Sequence, residues 1–239
     1  MTLTEQMTLL ARQAKAASRE LARLTTAEKN DCLLAMAGAL EQNRDDIKKA
    51  NARDLDTAAK MGLSTAMLDR LRLDDKRVAA MAKGLREVAA LPDPVGKILD
   101  ERVRPNGLKL QKISTPIGVI VIIYESRPNV TADAASLCFK SGNATILRGG
   151  KEALNSNQII ARVMTGAGRE TCAKIARRSS ARSADAAGGE LGLWPEYAIQ
   201  VVPTTDREAI KELLSLTQFV DLCIPRGGEG LIRAVAECS

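Results

Sequence analysis

"IGVIVIIYESRPNVTADAASLCFKSGNATILRGG", residues Ile117–Gly150, decides the fold. "IGVIVIIY" is a continuous apolar run rich in β-branched residues, as expected of a strand covered on both faces. "TADAASLCFKSG" reads as a helix closed by Gly142, and "ATILR" as a second buried strand. Together they make a βαβ unit. The alternation continues with "EALNSNQIIARVM" as a helix, "AIQVV" as a strand and "TDREAIKELLSL" as a helix with Asp206 near its cap. "FVDLCI" then reads as a fourth buried strand and "EGLIRAVAE" as the last helix. The order predicts an α/β fold, a doubly wound parallel sheet with right-handed crossovers. Such sheets take their ligands outside the carboxyl ends of the strands.

Arg-Gly-Gly occurs twice at such an end, in "TILRGGKEAL" (Thr145–Leu154) and in "CIPRGGEGLI" (Cys223–Ile232). Two readings are open from these residues. Glycine suits an ordinary strand-to-helix turn, and it also lets a phosphate approach backbone N–H groups at a helix start. Gly227, Gly228 and Gly230 form Gly-Gly-x-Gly, which is not the G-x-G-x-x-G fingerprint. Arg148, Gly149 and Lys151 place two cations beside a strand end, suited to ribose or phosphate. In "YESRPNV", Pro128 fixes a turn flanked by Arg127 and Asn129. The Asn129 amide there reads either as a turn residue or cap, or as a donor to a developing oxyanion.

Before the sheet, residues 3–92 read as helical. Thr25 and Glu28 form a capping box, Ser64 is a further cap candidate, one helix starts near Asp74, and Pro92 and Pro94 stop it. The period changes in "ILDERVRPNGLKLQKIST". Ile98–Arg104 and Leu108–Ile113 alternate around Asn106-Gly107, a hairpin signal. That hairpin reads equally as a surface feature and as an arm for self-association through its edges. Thr165–Trp194, rich in Arg, Ser, Ala and Gly, shows no steady period. It reads as a disordered surface insertion or a sequence artefact rather than as a basic lid or nucleic-acid contact.

Composition narrows the chemistry. The chain holds no histidine, which excludes Ser-His-Asp or Cys-His catalysis and any histidine-ligated metal. The cysteines Cys32, Cys138, Cys172, Cys223 and Cys238 are widely spaced without a CxxC, so neither a metal site nor a disulfide framework is indicated. They read as residues of a reducing cytoplasm, and Cys138 and Cys223 as small core residues. The net charge of +6 is spread along the chain. The few aromatic residues argue against a base-stacking platform, and the charge suits a phosphorylated small molecule at least as well as nucleic acid. No run is long enough to span a bilayer as a helix.

The combination of motifs is more specific than its parts. "STPIGVIVIIYESRPNVTADAASLCFKSGNATILRGGKEA", the hairpin before it and "VDLCIPRGGEGLIRAVAE" after it closely resemble the gamma-glutamyl phosphate reductase family of the aldehyde dehydrogenase superfamily. "LDRLRL" and "LPDPVGKI" look like the same family. The resemblance covers about residues 5–164 and 195–239. It implies NADPH-dependent reduction of L-glutamate 5-phosphate to L-glutamate 5-semialdehyde in proline biosynthesis, in a cytoplasmic, homo-oligomeric enzyme without a membrane or nucleic-acid partner. By similarity, Asn129 matches the oxyanion-hole asparagine and Arg127 contacts substrate. Arg148, Gly149 and Lys151 follow the strand at the cofactor ribose, and Arg226, Gly227, Gly228 and Gly230 lie at the pyrophosphate. The resemblance divides the chain into an N-terminal helical part of the cofactor domain (1–95), a hairpin arm (96–115) and an NADPH-binding parallel-sheet region (116–239, with the irregular insertion at 165–194). The catalytic domain is absent. The family's nucleophilic cysteine lies in an "RPSTCN"-like motif that these residues lack. The alternative is therefore a truncated, non-catalytic dinucleotide-binding remnant. Without a catalytic domain, a broad apolar surface is expected to stand exposed.

Overall fold

A computed structural model of the protein describes residues 1–182 and 194–238. The chain starts with α1 (Leu3–Leu21), α2 (Thr26–Gln42), α3 (Arg44–Lys60), α4 (Thr65–Leu71) and α5 (Asp75–Ala90). The hairpin strands β1 (Ile98–Val103) and β2 (Lys109–Ile113) follow, then β3 (Val119–Tyr124), α6 (Asn129–Lys140) and β4 (Ala144–Arg148). A 3-10 turn at Lys151–Ala153 leads into α7 (Leu154–Arg182). The chain closes with β5 (Ile199–Val201), α8 (Glu208–Ser215), β6 (Leu222–Arg226) and α9 (Glu229–Ala236).

The caps read from the sequence start these helices. The Glu28 N–H donates to Thr25 Oγ1 at 3.3 Å, while Glu28 Oε2 accepts from the Thr25 N–H at 2.7 Å. Ser64 accepts from Met67 N–H, Asp74 from Arg77 N–H, and Asp206 from Glu208 N–H. Each satisfies one of the N–H groups that a helix start leaves without an internal partner. Gly142 closes α6 at φ +75°, a conformation open to glycine at no steric cost.

β5, β4, β3 and β6 form one parallel sheet in that order. Strand alternation sends Ile120, Ile122 and Tyr124 into a core with α2, α5, α6 and α7. Val119, Val121 and Ile123 enter a second core with α1 and α8. Among the described residues β1 and β2 pair only with one another and lie exposed, with Val103, Leu108 and Ile113 open to solvent.

Three expectations are corrected. The fourth strand begins at Leu222 rather than Phe219, and it is not buried: Leu222 and Ile224 are exposed and Cys223 is half-buried. Among the described residues β6 is a sheet edge, paired with β3 on one side only. The stretch from Thr165 is not irregular, since α7 continues through it to Arg182. The remainder of that stretch, residues 183–193, lies outside the described residues. The helix after β3 starts at Asn129, two residues earlier than read, with Pro128 as its cap residue.

Trp194 packs on α7. Its ring stacks on Phe139 with centroids 5.5 Å apart, and a Cβ on Gly168 would lie 2.2 Å from it. Gly168→Ala is therefore expected to cost about 1–3 kcal/mol by overpacking, lowering Tm by roughly 2–12 °C at ~2–4 °C per kcal/mol. Gly166→Ala, two residues before it with nothing within 4 Å, is expected to hold or raise Tm, because alanine is the better helix former. Thermal unfolding by circular dichroism separates the two. Equal shifts would show that Trp194 does not press on Gly168.

Candidate active site at the carboxyl edge of the sheet

The strand order reverses between β3 and β6: the chain runs outward through β3, β4 and β5, then returns to the other side of β3. The connections after β3 and β6 leave on opposite faces, so a crevice opens between their carboxyl ends. A cleft of about 1240 Å³ lies there. Arg148, Gly149 and Lys151 line one side and Arg226, Gly227, Gly228 and Gly230 the other, with Arg127 also in the lining. Both Arg-Gly-Gly turns thus border one space.

Two glycines in this cleft are dictated by close packing. A Cβ at Gly149 would stand 2.1 Å from Asn157 Nδ2 and 3.0 Å from the Tyr124 ring. Asn157 is 1% exposed. Its Oδ1 accepts from Thr131 Oγ1 at 3.0 Å, and that hydroxyl lies 2.7 Å from the Tyr124 hydroxyl. Burial pushes the Tyr124 phenol far up, so it stays a neutral hydrogen-bonding group. A Cβ at Gly227 would meet Leu231 at 2.7 Å and Glu125 at 2.8 Å. Glu125 Oε1 accepts from the Gly228 N–H at 3.2 Å. The N-terminus of α9 thus already holds a carboxylate, as a helix start favours.

The cations are not equivalent. Arg148 is 8% exposed; its guanidinium donates to the Gly149 carbonyl and to the Thr205 carbonyl, the latter at 3.0 Å. It clamps the loop to the segment before α8, and burial pulls its guanidinium down from the usual value. Lys151, Arg127 and Arg226 are exposed, with side chains that make no hydrogen bond or ion pair among the described residues.

Asn129 does not line this cleft. It lies in an adjoining cavity of about 400 Å³, with Arg70, Arg72, Arg77, Arg127 and Asp133 among its lining. Arg127 and Arg70 line both spaces. The Asn129 amide donates to Asp133 Oδ2, one helical turn on, at 3.1 Å. Burial pushes the Asp133 carboxyl up, against the Asn129 hydrogen bond and the Arg226 charge.

A buried carboxylate holds α7 in place beneath the Lys151 turn. Asp54 of α3 accepts from the Ser156 N–H at 2.7 Å, Ser156 Oγ at 2.6 Å and Asn155 Nδ2 at 2.8 Å. It caps a helix whose start has no side-chain cap of its own.

The cysteines stand apart from this chemistry. Burial pushes the Cys138 and Cys223 thiols up to about 11. Cys32 and Cys172 face one another at 3.5 Å between α2 and α7 and line neither cavity. Sequence reasoning missed Asp133, Glu125, Arg70 and Arg72. The first had a signal, a carboxylate four residues after Asn129 in an otherwise apolar helix. Arg70 and Arg72, in the helical layer, read as solvated charge, and Glu125 carried no signal.

No protein-family model matches the chain. The curated "Gamma-glutamyl phosphate reductase" of a Sulfurihydrogenibium species is 50% identical over 230 residues, which are 96% of this chain and 47% of that protein. The Moorella thermoacetica protein of the same name is 52% identical over 94% of this chain and 49% of its own length. The chain thus spans about half the length of the curated relatives it matches. Among solved structures, gamma-glutamyl phosphate reductase of Thermotoga maritima superposes with a TM-score of 0.84 at 37% identity, over 98% of this chain and 51% of the other. The Saccharomyces cerevisiae enzyme gives 0.80 at 32% identity, over 98% and 54%. A probable aldehyde dehydrogenase from Listeria monocytogenes, 14% identical, shares the fold at 0.70. In sequence and in fold, the chain is similar to about half of a gamma-glutamyl phosphate reductase.

Proposed function

We propose that the chain is the dinucleotide-binding part of an NADPH-dependent reductase that converts L-glutamate 5-phosphate to L-glutamate 5-semialdehyde in proline biosynthesis. One observation carries this: two glycine loops meet across a single large cleft at the reversal of strand order. The residues present fit a dinucleotide. The cleft has the volume, Gly149 and Gly227 sit where a side chain would collide with the walls, and exposed cations border it. One fold neighbour, from Corynebacterium glutamicum, is named an NAD-dependent benzaldehyde dehydrogenase. Relatives at about half identity are named as reductases, which favours this reading over a non-catalytic remnant.

When bound, the dinucleotide supplies the hydride. The chain's own residues position and polarise. Gly227, Gly228 and Gly230 leave room for pyrophosphate at the start of α9, from which Glu125 must swing away. Lys151 is the cation for a ribose 2′-phosphate, since Arg148 is spent on backbone carbonyls. Arg127, at the neck of both cavities, binds the substrate's phosphate. Asn129 stabilises the oxyanion. The attacking thiolate belongs to the longer family chain, because burial leaves Cys138 and Cys223 as poor nucleophiles. The working protein is a cytoplasmic homo-oligomer that uses the exposed hairpin as an arm.

Calorimetric titration of the chain with NADP⁺ and NAD⁺ tests the cofactor half of this reading. Tighter binding of NADP⁺ is expected, and Lys151→Ala is expected to narrow the preference about tenfold, the loss of one charged hydrogen bond. Binding of neither dinucleotide would overturn the reading.

A further inference from the structure

Cys32 of α2 and Cys172 of α7 are 140 residues apart in the chain, yet their sulfurs lie 3.5 Å from one another. Both are buried, at 0% and 3% exposure. A single buried cysteine is usually a small core residue, and Cys138 fits that description. The facing pair has a property that packing alone does not require. Two thiols in mutual contact on two packed helices stand within about 1.5 Å of the separation of a disulfide. Cys32 also lies 4.0 Å from the Gly168 carbonyl, one helical turn before Cys172, so its sulfur is set against α7 by both contacts.

The two thiols are not equivalent. The hydrogen bond they share pulls the Cys172 thiol down, against burial and the Glu28 charge. The same contact, burial and the charges of Asp31 and Glu28 push the Cys32 thiol up. Cys172 is therefore the sulfur that reaches the thiolate, the reactive form, and Cys32 stands in place to resolve what it becomes.

We propose that Cys32 and Cys172 form a redox clasp, a dithiol at rest that hydrogen peroxide converts to a disulfide tying α2 to α7. The Cys172 thiolate attacks the peroxide O–O bond. An S–O bond forms, and the departing hydroxide takes up the thiol's proton as water. The Cys32 sulfur then attacks this sulfenic acid. The S–S bond forms, the S–O bond breaks, and a second water carries away the hydroxyl and the Cys32 proton. One peroxide thus takes two electrons from the pair. A thiol such as glutathione reverses the link by exchange, so the pair rests reduced wherever thiols are kept so. The disulfide closes a loop of 140 residues that holds α3 to α6 and β1 to β4. A loop of that length restrains the unfolded chain strongly. The inference does not rest on the reductase reading.

The test exposes the full 239-residue chain to hydrogen peroxide, blocks the remaining thiols with N-ethylmaleimide and digests it with trypsin without reductant. The peptides Asn30–Arg44 and Glu170–Lys174 are expected to appear joined, and to separate in dithiothreitol. The oxidised chain is expected to unfold roughly 4–16 °C above the reduced one. Cys32→Ser is expected to abolish the link and the Tm gain together. Met61, exposed at 45%, reports how far oxidation has gone. Recovery of both peptides as maleimide adducts once Met61 has become the sulfoxide overturns the proposal. So do separate sulfinic acids at the two positions, a link to Cys138, Cys223 or Cys238 in place of this one, or a Tm gain that survives Cys32→Ser.

Discussion

Asp93→Ala is expected to destabilise the protein by about 3 kcal/mol, the low end of the cost of breaking a buried ion pair. Lys29 Nζ lies 2.6 Å from Asp93 Oδ2, with the lysine side chain 2% and the aspartate side chain 10% exposed. The same carboxylate accepts from the Val95 N–H at 3.0 Å and from Thr26 Oγ1 at 2.8 Å. Without it, the Lys29 ammonium is left in the interior without a counter-charge. Lys140 shares the loss. It reaches Asn30 Oδ1 and the Ala89 carbonyl, and burial already pulls its ammonium down, opposed by Asp93. The partial exposure of Asp93 keeps the figure at the low end. Thermal unfolding should show a Tm lower by roughly 6–12 °C.

The pH dependence has a definite sign. Burial works against the Asp93 carboxylate, but Lys29, the Val95 N–H and Thr26 outweigh it and hold the carboxyl below its ordinary value. A carboxyl with a depressed folded-state pKa stabilises fully above its unfolded value, about 4. That contribution is lost as pH falls through the lower, folded value. The Tm gap between the parent and Asp93→Ala should therefore be constant from neutral pH to about 5 and close as the pH drops below about 4. A gap that persists undiminished at pH 2 would show that the variant acts through packing instead.

Gly149→Ala is expected to weaken NADP⁺ binding about a hundredfold, as ~1 Å misplacements of a positioning loop do, and to lower stability by about 1–3 kcal/mol through overpacking. The added Cβ would lie 2.1 Å from Asn157 Nδ2. Asn157 cannot yield, because it is buried and bonded to Thr131, so the loop must move instead. That displaces Lys151 and the wall of the cleft together. Asn157→Ala makes the room that the methyl group needs. The double variant should thus bind more tightly than Gly149→Ala alone, a coupling that a double-mutant cycle reads directly. Independent effects of the two changes would show that the collision is not the cause. Gly230→Ala, which meets nothing within 4 Å, should leave Tm within the small range of surface changes, about 0.5 kcal/mol.

Much of the fold was legible because its signals are local. Thr25 with Glu28, Ser64, Asp74, Asp206 and Gly142 each act within a few residues. The strands were legible because a buried parallel strand has no polar face to disguise it. β6 was misjudged because Leu222, Cys223 and Ile224 read like a buried run; Pro225 within it was the cue, since proline lacks a ladder donor and is confined to edge strands. The continuation of α7 was hidden because its buried positions are Met164, Gly168 and Cys172, every fourth residue, where glycine and cysteine do not register as an apolar stripe. The glycine loops could be placed at the site from the sequence, but not the ties that shape it. Asp54 reaches Ser156 across about a hundred residues, and Glu125 reaches Gly228 across a similar span. Pairings of that kind leave no trace in spacing. Lys29 and Asp93 are the same case in the helical layer, which looked like solvated charge.

The position of α1 bears on synthesis. Its apolar residues Met7, Leu10, Ala11 and Ala14 belong to the core behind the sheet, with Ala209 and Leu213 of α8. Lys15 binds Asp221, just before β6, at 2.7 Å. During synthesis α1 therefore meets β3 and β4 only after about a hundred further residues have been made, and α8 and Asp221 only after about two hundred. Through that interval its apolar stripe stays bare while the chain grows at about 5–20 residues per second. The nascent chain thus spends several seconds with an unsheltered helix, a natural substrate for chaperones that hold extended apolar segments.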